Sequence, residues 1–263
     1  MSQETNDEQD FPKFTCNICQ KESEVFQLSV FDDLEFWSCY ECGSVRCDPF
    51  PDKADQRRQL NESFYATRSV FYNSREKKHF ENHVKELANK AKGKRGLNTF
   101  ARNGLTTNMM RLAGFTDVTG QETNKFCNEV AEKRFSKCKF TTDTLQKHAK
   151  SGEIYNAVVS YKDIEQYENP DEFFSHLAKL GDEKTLYYLS LCDGNHFMVP
   201  NDFLKWEEVY FPEKAHYISR EGLDILAKRN GFKIVKRYKR FLPYQHVIMK
   251  KVKAKAETKP KAK

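Results

Sequence analysis

Four cysteines near the start of the chain constrain its fold more than any other feature of the sequence. They form two Cys-x2-Cys pairs with nineteen residues between them: Cys16, Cys19, Cys39 and Cys42. This spacing is typical of a four-cysteine zinc site, because each pair lies on a tight turn and presents two thiolates to one ion. Four protein ligands leave no open coordination position, so the sequence predicts one structural zinc ion and not a catalytic metal.

Two disulfides are the alternative for these cysteines, and disulfides form in oxidising compartments. The first ten residues carry four acidic side chains and no basic one, unlike a secretory signal or a mitochondrial presequence. No window approaches the roughly 18 uninterrupted apolar residues of a membrane span. We therefore expect a soluble cytoplasmic protein without a membrane partner, in which the cysteines are reduced and bind zinc.

The segment between the cysteine pairs has the pattern of a β-hairpin. Apolar residues recur at 25–30 and at 34–37, on either side of an Asp32-Asp33 turn. Residues 13–51 are therefore predicted to form a zinc ribbon. Cys47 could substitute for one of its ligands, but we expect it to be a buried or idle thiol. No lysine or arginine lies between Lys21 and Arg46, and basic side chains supply most of the affinity for phosphates. This argues against nucleic acid as a partner.

The net charge of +6 lies at the end of the chain. Residues 250–263 contain seven lysines and one glutamate, so the other 249 residues carry no net charge. The Lys-rich composition of 253–263 predicts a disordered tail, and the acidic residues 1–12 predict a disordered N-terminus. A body without excess positive charge suits a small or neutral partner better than a nucleic acid.

A helical pattern and then strand–helix alternation follow the ribbon. Apolar residues at helical spacing from Phe80 to Ala91 predict an amphipathic helix within a linker at 52–95, whose aromatic stretch 57–72 would suit a lid. Strands are predicted downstream at 97–101, 115–119, 154–160, 185–191, 232–238 and 246–252. Helices are predicted at 108–113, 124–135, 169–180 and 219–230.

This alternation predicts an α/β domain at 96–252 with a doubly wound sheet. Only seven residues separate the last two strands, which is too few for a helical crossover. The last two strands are therefore expected to pair antiparallel at one side of an otherwise parallel sheet.

Three segments, at 39–51, 155–170 and 211–219, make residues 16–252 similar to a known family. The chain resembles the class I S-adenosylmethionine-dependent methyltransferases that carry an N-terminal zinc ribbon, many of which act in sugar and cell-surface polysaccharide pathways. The resemblance implies a Rossmann-like seven-stranded sheet with an antiparallel last strand. It also implies S-adenosylmethionine as cofactor and a sugar or another small polar molecule as methyl acceptor.

The cofactor loop departs from the pattern of that family. The family has an acidic residue at the end of its first strand and then Gly-x-Gly-x-Gly, whose glycines let the backbone approach the cofactor closely. Here the acidic position falls on Asn98, and the glycine positions fall on Phe100, Arg102 and Gly104. The family's ribose-binding acid corresponds to Glu122. The resemblance thus implies Asn98, Gly104 and Glu122 as cofactor-binding residues.

Candidate catalytic residues follow from the same resemblance. Glu165 lies where the family has an acidic residue after its fourth strand, and Lys214 stands where the family often has histidine. Methyl transfer sometimes needs a base, and the other nearby candidates are His216, Tyr217, Tyr167 and Glu213. His216 is expected to titrate near neutral pH. The pair His79 and His83 is expected on a solvated helix face.

Two functions remain open from the sequence. The first is an active methyltransferase with an altered cofactor loop. The second is a catalytically inactive, methyltransferase-like pseudoenzyme that serves as a binding or assembly factor, because Phe100 and Arg102 would occupy space that the methionine part of the cofactor needs. A nucleic-acid-binding ribbon is the weakest alternative.

Overall fold

The computed structural model describes residues 12–31, 33–50, 69–71, 73–209, 214, 216–239 and 242–252. These residues form two β-sheets and six α-helices. The predicted acidic N-terminus, most of the predicted lid at 57–72, Glu213 and the Lys-rich tail lie outside the described residues. Within the described part of the chain, no helix combines the length and the apolar character that a bilayer crossing requires.

The smaller sheet has five antiparallel strands in the order β1-β2-β3-β4-β10. Its strands are β1 (Lys13–Thr15), β2 (Glu22–Phe31), β3 (Leu34–Cys39), β4 (Val45–Asp48) and β10 (His216–Tyr217). Strands β2 and β3 form the hairpin that the sequence predicts between the cysteine pairs. The fifth strand comes from a distant part of the chain, since His216 pairs with Arg46 and Tyr217 with Val45.

The larger sheet has seven strands in the order β11-β12-β9-β8-β5-β6-β7. Its strands are β5 (Arg95–Thr99), β6 (Asp117–Gln121), β7 (Lys139–Thr141), β8 (Ala157–Tyr161), β9 (Leu186–Cys192), β11 (Phe232–Arg237) and β12 (Tyr244–Lys251). Strands β5 to β9 pair parallel, whereas β12 pairs antiparallel with both β9 and β11. The predicted fold class, including the antiparallel last strand, is confirmed.

Six α-helices accompany these strands: α1 (Ser74–Lys90), α2 (Leu105–Leu112), α3 (Lys125–Arg134), α4 (Leu145–Lys150), α5 (Pro170–Lys179) and α6 (Arg220–Arg229). Five of them begin at a side chain that accepts a hydrogen bond from a free backbone N–H of the first turn. These capping residues are Asn73, Asn124, Thr144, Asn169 and Ser219. Helix α2 begins instead at Gly104, which has φ +80°.

Both faces of the larger sheet are covered, so β8 and β9 are buried along their whole length. Successive strand residues point to opposite faces. Val158 and Tyr187 join a core cluster with side chains of α5 and α6, whereas Val159 and Tyr188 join a second cluster with side chains of α1 and α2. This two-sided burial explains why both strands are continuous apolar runs in the sequence.

The sequence analysis missed one strand of the larger sheet and one helix beside it, and it also missed β1, β4 and β10 of the smaller sheet. Strand β7 is only three residues long, Lys139–Thr141, and lies at the edge of the sheet. It therefore has neither a run of apolar residues nor an alternating pattern of useful length. The short helix α4 follows it.

His79 is exposed as expected, but His83 is half-buried, so the expectation of a solvated helix face is wrong for His83. Its ring stacks on Tyr238 with 3.6 Å between centroids, and its Nδ1 lies 3.1 Å from the Tyr188 hydroxyl. The same hydroxyl lies 3.0 Å from Nδ1 of His246. Burial lowers the pKa of His83 to about 4 and that of His246 to about 3.

These pKa values predict a loss of stability in mild acid. An unfolded histidine binds a proton near pH 6.5, but buried His246 stays neutral until about pH 3, so the unfolded state binds more protons between these values. The stabilising effect of a neutral His246 is complete above pH 6.5 and is lost as the pH falls. When the pH is lowered from 7 to 5, the unfolding free energy of wild type should fall by about 2 kcal/mol more than that of His246→Gln. Urea denaturation at both pH values measures this, and equal losses would contradict it.

Candidate functional site

The four cysteines of the ribbon converge on one point. All four Sγ atoms lie within 4.8 Å of one another, and the Cys16–Cys42 and Cys19–Cys39 separations are both 3.8 Å. A zinc ion with Zn–S bonds of about 2.3 Å in a tetrahedron separates its sulfur ligands by about 3.8 Å. The four thiols therefore fit one tetrahedral metal ion. Cys47 is buried outside this group, with its Sγ 3.7 Å from the Pro49 carbonyl oxygen.

The cysteine turns are bonded to the α/β domain. Ser219, the N-cap of α6, donates its hydroxyl to the Cys42 carbonyl, and its N–H donates to Ser44 Oγ at 3.1 Å. Arg229, at the other end of α6, donates to the Ile18 carbonyl at 2.6 Å and to Asp171 Oδ2 at 2.6 Å. Both cysteine turns are thus held by side chains of one helix.

The strand order places the topological switch point of the sheet, where open parallel sheets form a crevice, at the carboxyl ends of β5 and β8. These two neighbours are followed by chain segments that leave in opposite directions, towards β6 and towards β9. In open parallel sheets, ligands bind at such a switch point. The residues at this place are Thr99 and Phe100 after β5, Glu122 after β6, and Ser160 and Asp163 around the end of β8.

The loop after β5 has the backbone of a glycine loop although two of its glycine positions carry side chains. Phe100 has φ +55° and Arg102 has φ +48°. A residue with a Cβ in this left-handed conformation costs roughly 1–2 kcal/mol. The loop is held by N–H bonds from Ala101 to the Gln121 carbonyl at 2.7 Å and from Arg102 to Glu122 Oε2 at 2.9 Å.

The Arg102 side chain is packed into the crevice. Its guanidinium carbon lies 5.0 Å from the centre of the Phe100 ring, and the residue is only 9% exposed. Burial raises the pKa of Glu122 to about 7 and that of Asp163 to about 6, and the positive charge of Arg102 opposes both shifts. The guanidinium therefore lies close enough to both carboxyl groups to stabilise their charged forms.

Two predicted cofactor-binding residues have structural partners instead. Asn98 donates from Nδ2 to Thr106 Oγ1 at 2.9 Å and to Thr107 Oγ1 at 3.1 Å, so its amide is engaged with the first turn of α2. A Cβ on Gly104 would lie 2.8 Å from side-chain atoms of Ala131 and Phe140. Gly104 is therefore required for the packing of α2 against its neighbours, independently of any ligand.

A buried ionic cluster occupies the carboxyl ends of β8 and β9. Lys162 Nζ lies 2.9 Å from Glu76 Oε1 and 2.9 Å from Glu208 Oε1, and Lys214 pairs with the other oxygen of Glu208. The Tyr244 hydroxyl donates to Glu208 at 2.6 Å. Burial alone would raise the pKa of Glu208, but Lys214 and Lys162 hold it well below its usual range. Lys214 is thus engaged in a buried ion pair.

The three predicted catalytic residues do not line a common open site. Glu165 is fully buried, accepts the Cys192 N–H at 2.7 Å, and has a pKa that burial raises. The Tyr217 hydroxyl donates to the Glu208 carbonyl at 3.3 Å. His216 Nε2 lies 3.3 Å from the Glu168 carbonyl oxygen, inside the contact between ribbon and domain. Burial lowers the pKa of His216 to about 4, so the expectation that it titrates near neutral pH is wrong.

Comparison with known families agrees with this architecture. Residues 72–237, more than half of the chain, match the family model described as methyltransferase domain. The chain belongs to the methyltransferase domain family. A search of curated proteins by sequence finds no match.

Solved structures share the fold of this methyltransferase domain at low sequence identity. Magnesium protoporphyrin IX methyltransferase from Synechocystis PCC 6803 with bound SAH has a TM-score of 0.57 and 18% identity, over 76% of this chain and 100% of that one. The CcbJ methyltransferase from Streptomyces caelestis has a TM-score of 0.55 and 11% identity, over 66% of this chain and 90% of that one. The [4+2]-cyclase SpnF has a TM-score of 0.54 and 11% identity, over 72% of this chain and 86% of that one. Proteins with this fold therefore catalyse different reactions, and the function of this chain has to be argued from the residues of its site.

The crevice of this methyltransferase domain does not fit S-adenosylmethionine in the conformation described. Glu122 is 1% exposed, and its two oxygens accept N–H bonds from Asn124 at 2.8 Å and from Arg102 at 2.9 Å. Thr99 and Ser160 are buried as well. Protein atoms thus cover Glu122, Thr99 and Ser160, which lie at the edge of the sheet where a nucleoside would bind.

The cysteine geometry predicts about one zinc ion per purified chain. Cys39→Ser should lose most of the bound zinc and destabilise the ribbon, because three thiolates hold the ion less tightly than four. Cys47→Ser is the matched control and should keep the zinc, since this thiol is buried in the same sheet but outside the cluster. Elemental analysis measures the metal content, and equal zinc in both variants would refute the assignment of Cys39.

The buried ionic cluster predicts a large loss of stability when its central acid is neutralised. Glu208→Gln leaves Lys162 and Lys214 buried without that counter-charge, and breaking such a pair typically costs about 3–5 kcal/mol. Asp202→Asn breaks the exposed Lys205–Asp202 pair and should change the unfolding free energy by less than about 1 kcal/mol. Urea denaturation compares the two variants. A similar small effect for both would mean that the cluster is solvated.

Proposed function

We propose that this methyltransferase-domain protein is a catalytically inactive member of its family that serves as a binding or assembly factor. The observation that carries the proposal is the position of the Arg102 side chain. It lies in the crevice at the switch point, 9% exposed and stacked near the Phe100 ring. A cofactor and this side chain cannot share that space, because protein interiors are close-packed.

The buried ionic cluster gives the proposal a second, independent support. Methyl transfer requires an acceptor held in line with the sulfonium, next to the carboxyl ends of the central strands. In this chain Lys162 and Glu208 meet there as an ion pair, covered from solvent together with Glu76 and Lys214. Separating buried ions costs several kcal/mol, so an acceptor pocket does not open easily at this place.

A second candidate is an active S-adenosylmethionine-dependent methyltransferase that acts on a sugar or another small polar acceptor. Glu122 favours it, because an acid at the end of the second strand is where such folds bind a ribose hydroxyl. The retained left-handed backbone of the loop also favours it, since movement of two side chains alone would restore the contour of a glycine loop. In this candidate Glu165, His216 and Tyr217 remain the proposed catalytic residues.

We also propose that the ribbon holds a structural zinc ion on Cys16, Cys19, Cys39 and Cys42, in a reduced and therefore cytoplasmic setting. The tetrahedral sulfur spacing supports zinc. Two contacts from Ser219 and two from Arg229 join the cysteine turns to α6, so the metal would also stabilise the docking of the ribbon.

Titration calorimetry with S-adenosylmethionine and with S-adenosylhomocysteine tests the choice between the two candidates. The inactive protein should give no saturable heat with either ligand up to about 1 mM, a limit that corresponds to about 4 kcal/mol of binding free energy. The zinc-loaded full chain is used, so that loss of the ribbon does not explain a negative result. A dissociation constant below about 1 mM for either ligand would overturn the proposal and favour the methyltransferase.

A further inference from the structure

We infer that Arg102 is an internal substitute for a ligand: it fills a latent nucleoside site, and removal of the Arg102 and Phe100 side chains reopens that site. The inference rests on the proposed function, because it names the side chains that close the switch point of an inactive methyltransferase domain. It assigns a class of ligand, S-adenosyl nucleosides, to a crevice that the protein itself keeps closed.

The first argument is the shape of the loop. A loop that had been rerouted around large side chains would have lost the left-handed conformation that glycine favours. Phe100 and Arg102 keep it, with φ +55° and +48°, and Gly104 follows with φ +80°. The glycine contour is therefore present, and what closes the crevice is the added side chains and not the path of the backbone.

The second argument is electrostatic. Glu122 follows β6 and Asp163 follows β8, so two carboxyl groups from different strands lie buried around the same crevice. Buried carboxylates require hydrogen bonds or a counter-charge. Arg102 supplies a positive charge that acts on both of them. The guanidinium is thus a positively charged group of this crevice that acts on both carboxyl groups.

The third argument is that backbone hydrogen bonds anchor the loop in addition to the contacts of these side chains, such as the packing of Phe100 against Cys127. Backbone groups make the bonds: Ala101 N–H to the Gln121 carbonyl at 2.7 Å, Arg102 N–H to Glu122 at 2.9 Å, and Gly104 N–H to the Ala101 carbonyl at 2.9 Å. Glycine at positions 100 and 102 also adopts the left-handed conformation without a steric penalty. A Phe100→Gly/Arg102→Gly variant is therefore expected to fold, with lower stability than wild type because the packing of Phe100 and the charge of Arg102 are lost.

The experiment compares binding of S-adenosylhomocysteine by wild type and by Phe100→Gly/Arg102→Gly, using calorimetry and thermal shift. We expect the double variant to bind at least tenfold more tightly than the wild-type detection limit. Arg134→Ala is the matched control, because Arg134 lies over the Phe135 ring at 5.4 Å outside the crevice and loses the same charge. This control should show no gain of binding.

A third variant identifies the groups that bind the nucleoside. Adding Glu122→Ala to the double variant should weaken its binding at least several-fold, because the acid after β6 would hold the ribose. Arg102→Gly alone is the second route if the double variant does not fold, and it should show a smaller gain because the Phe100 ring stays.

The possible results separate this inference from the proposed function. Wild type that binds as tightly as the double variant overturns both the proposed inactivity and the role of Arg102. Wild type and a folded, zinc-containing double variant that both fail to bind overturn the inference and leave the proposed inactivity standing. If the Arg134→Ala control gains binding equally, the effect comes from net charge, and the inference fails.

Discussion

Buried charged side chains cover the carboxyl edge of the larger sheet, and the arrangement of the residues around that edge depends on how these charges are paired. Parallel strands bring polar chain ends to one edge, and such an edge must be bound by ligand, by water or by other side chains. In this chain, other side chains bind the polar groups of that edge. Lys162, Lys214, Glu76 and Glu208 neutralise one another beside β8 and β9, and Arg102 faces Glu122 and Asp163 beside β5 and β6. In the first of these groups, neither Glu208 nor a lysine could be removed singly without leaving an unpaired ion behind.

The same requirement explains how the ribbon is integrated into the molecule. Its cysteine side chains belong to the same apolar cluster as side chains of α5 and α6. The ribbon and the α/β domain therefore share one continuous core. A third apolar cluster joins Phe36 and Val45 of the ribbon to Phe203, Trp206 and Tyr217. The segment around residue 208 therefore serves two purposes, because it supplies both the acid of the ionic cluster and the aromatic contact with the ribbon.

Much of the fold follows from local patterns in the sequence, and much of the site does not. The cysteine spacing, the Ser219 and Asn169 caps and the short link between the last strands each depend on a few adjacent residues. Strand β7 is not predicted because three residues are too few to show the alternation of apolar and polar residues that indicates a strand. The low pKa of His216 and the pairing of Lys214 depend on burial by residues distant in sequence, which no local pattern encodes. The replaced glycines are visible in the sequence, but the preserved backbone is visible only in the structure.

The fifth strand of the ribbon sheet has a consequence for how the protein is made. Residues 216 and 217 pair with β4, which leaves the ribosome long before them. During synthesis the edge of β4 has no neighbour on that side until residues 216 and 217 have emerged. Cysteines that capture their ion early would therefore hold only a partial sheet, whose open edge invites pairing with a nascent chain nearby. Completion of the ribbon sheet therefore waits for residues that are synthesised well after its other four strands.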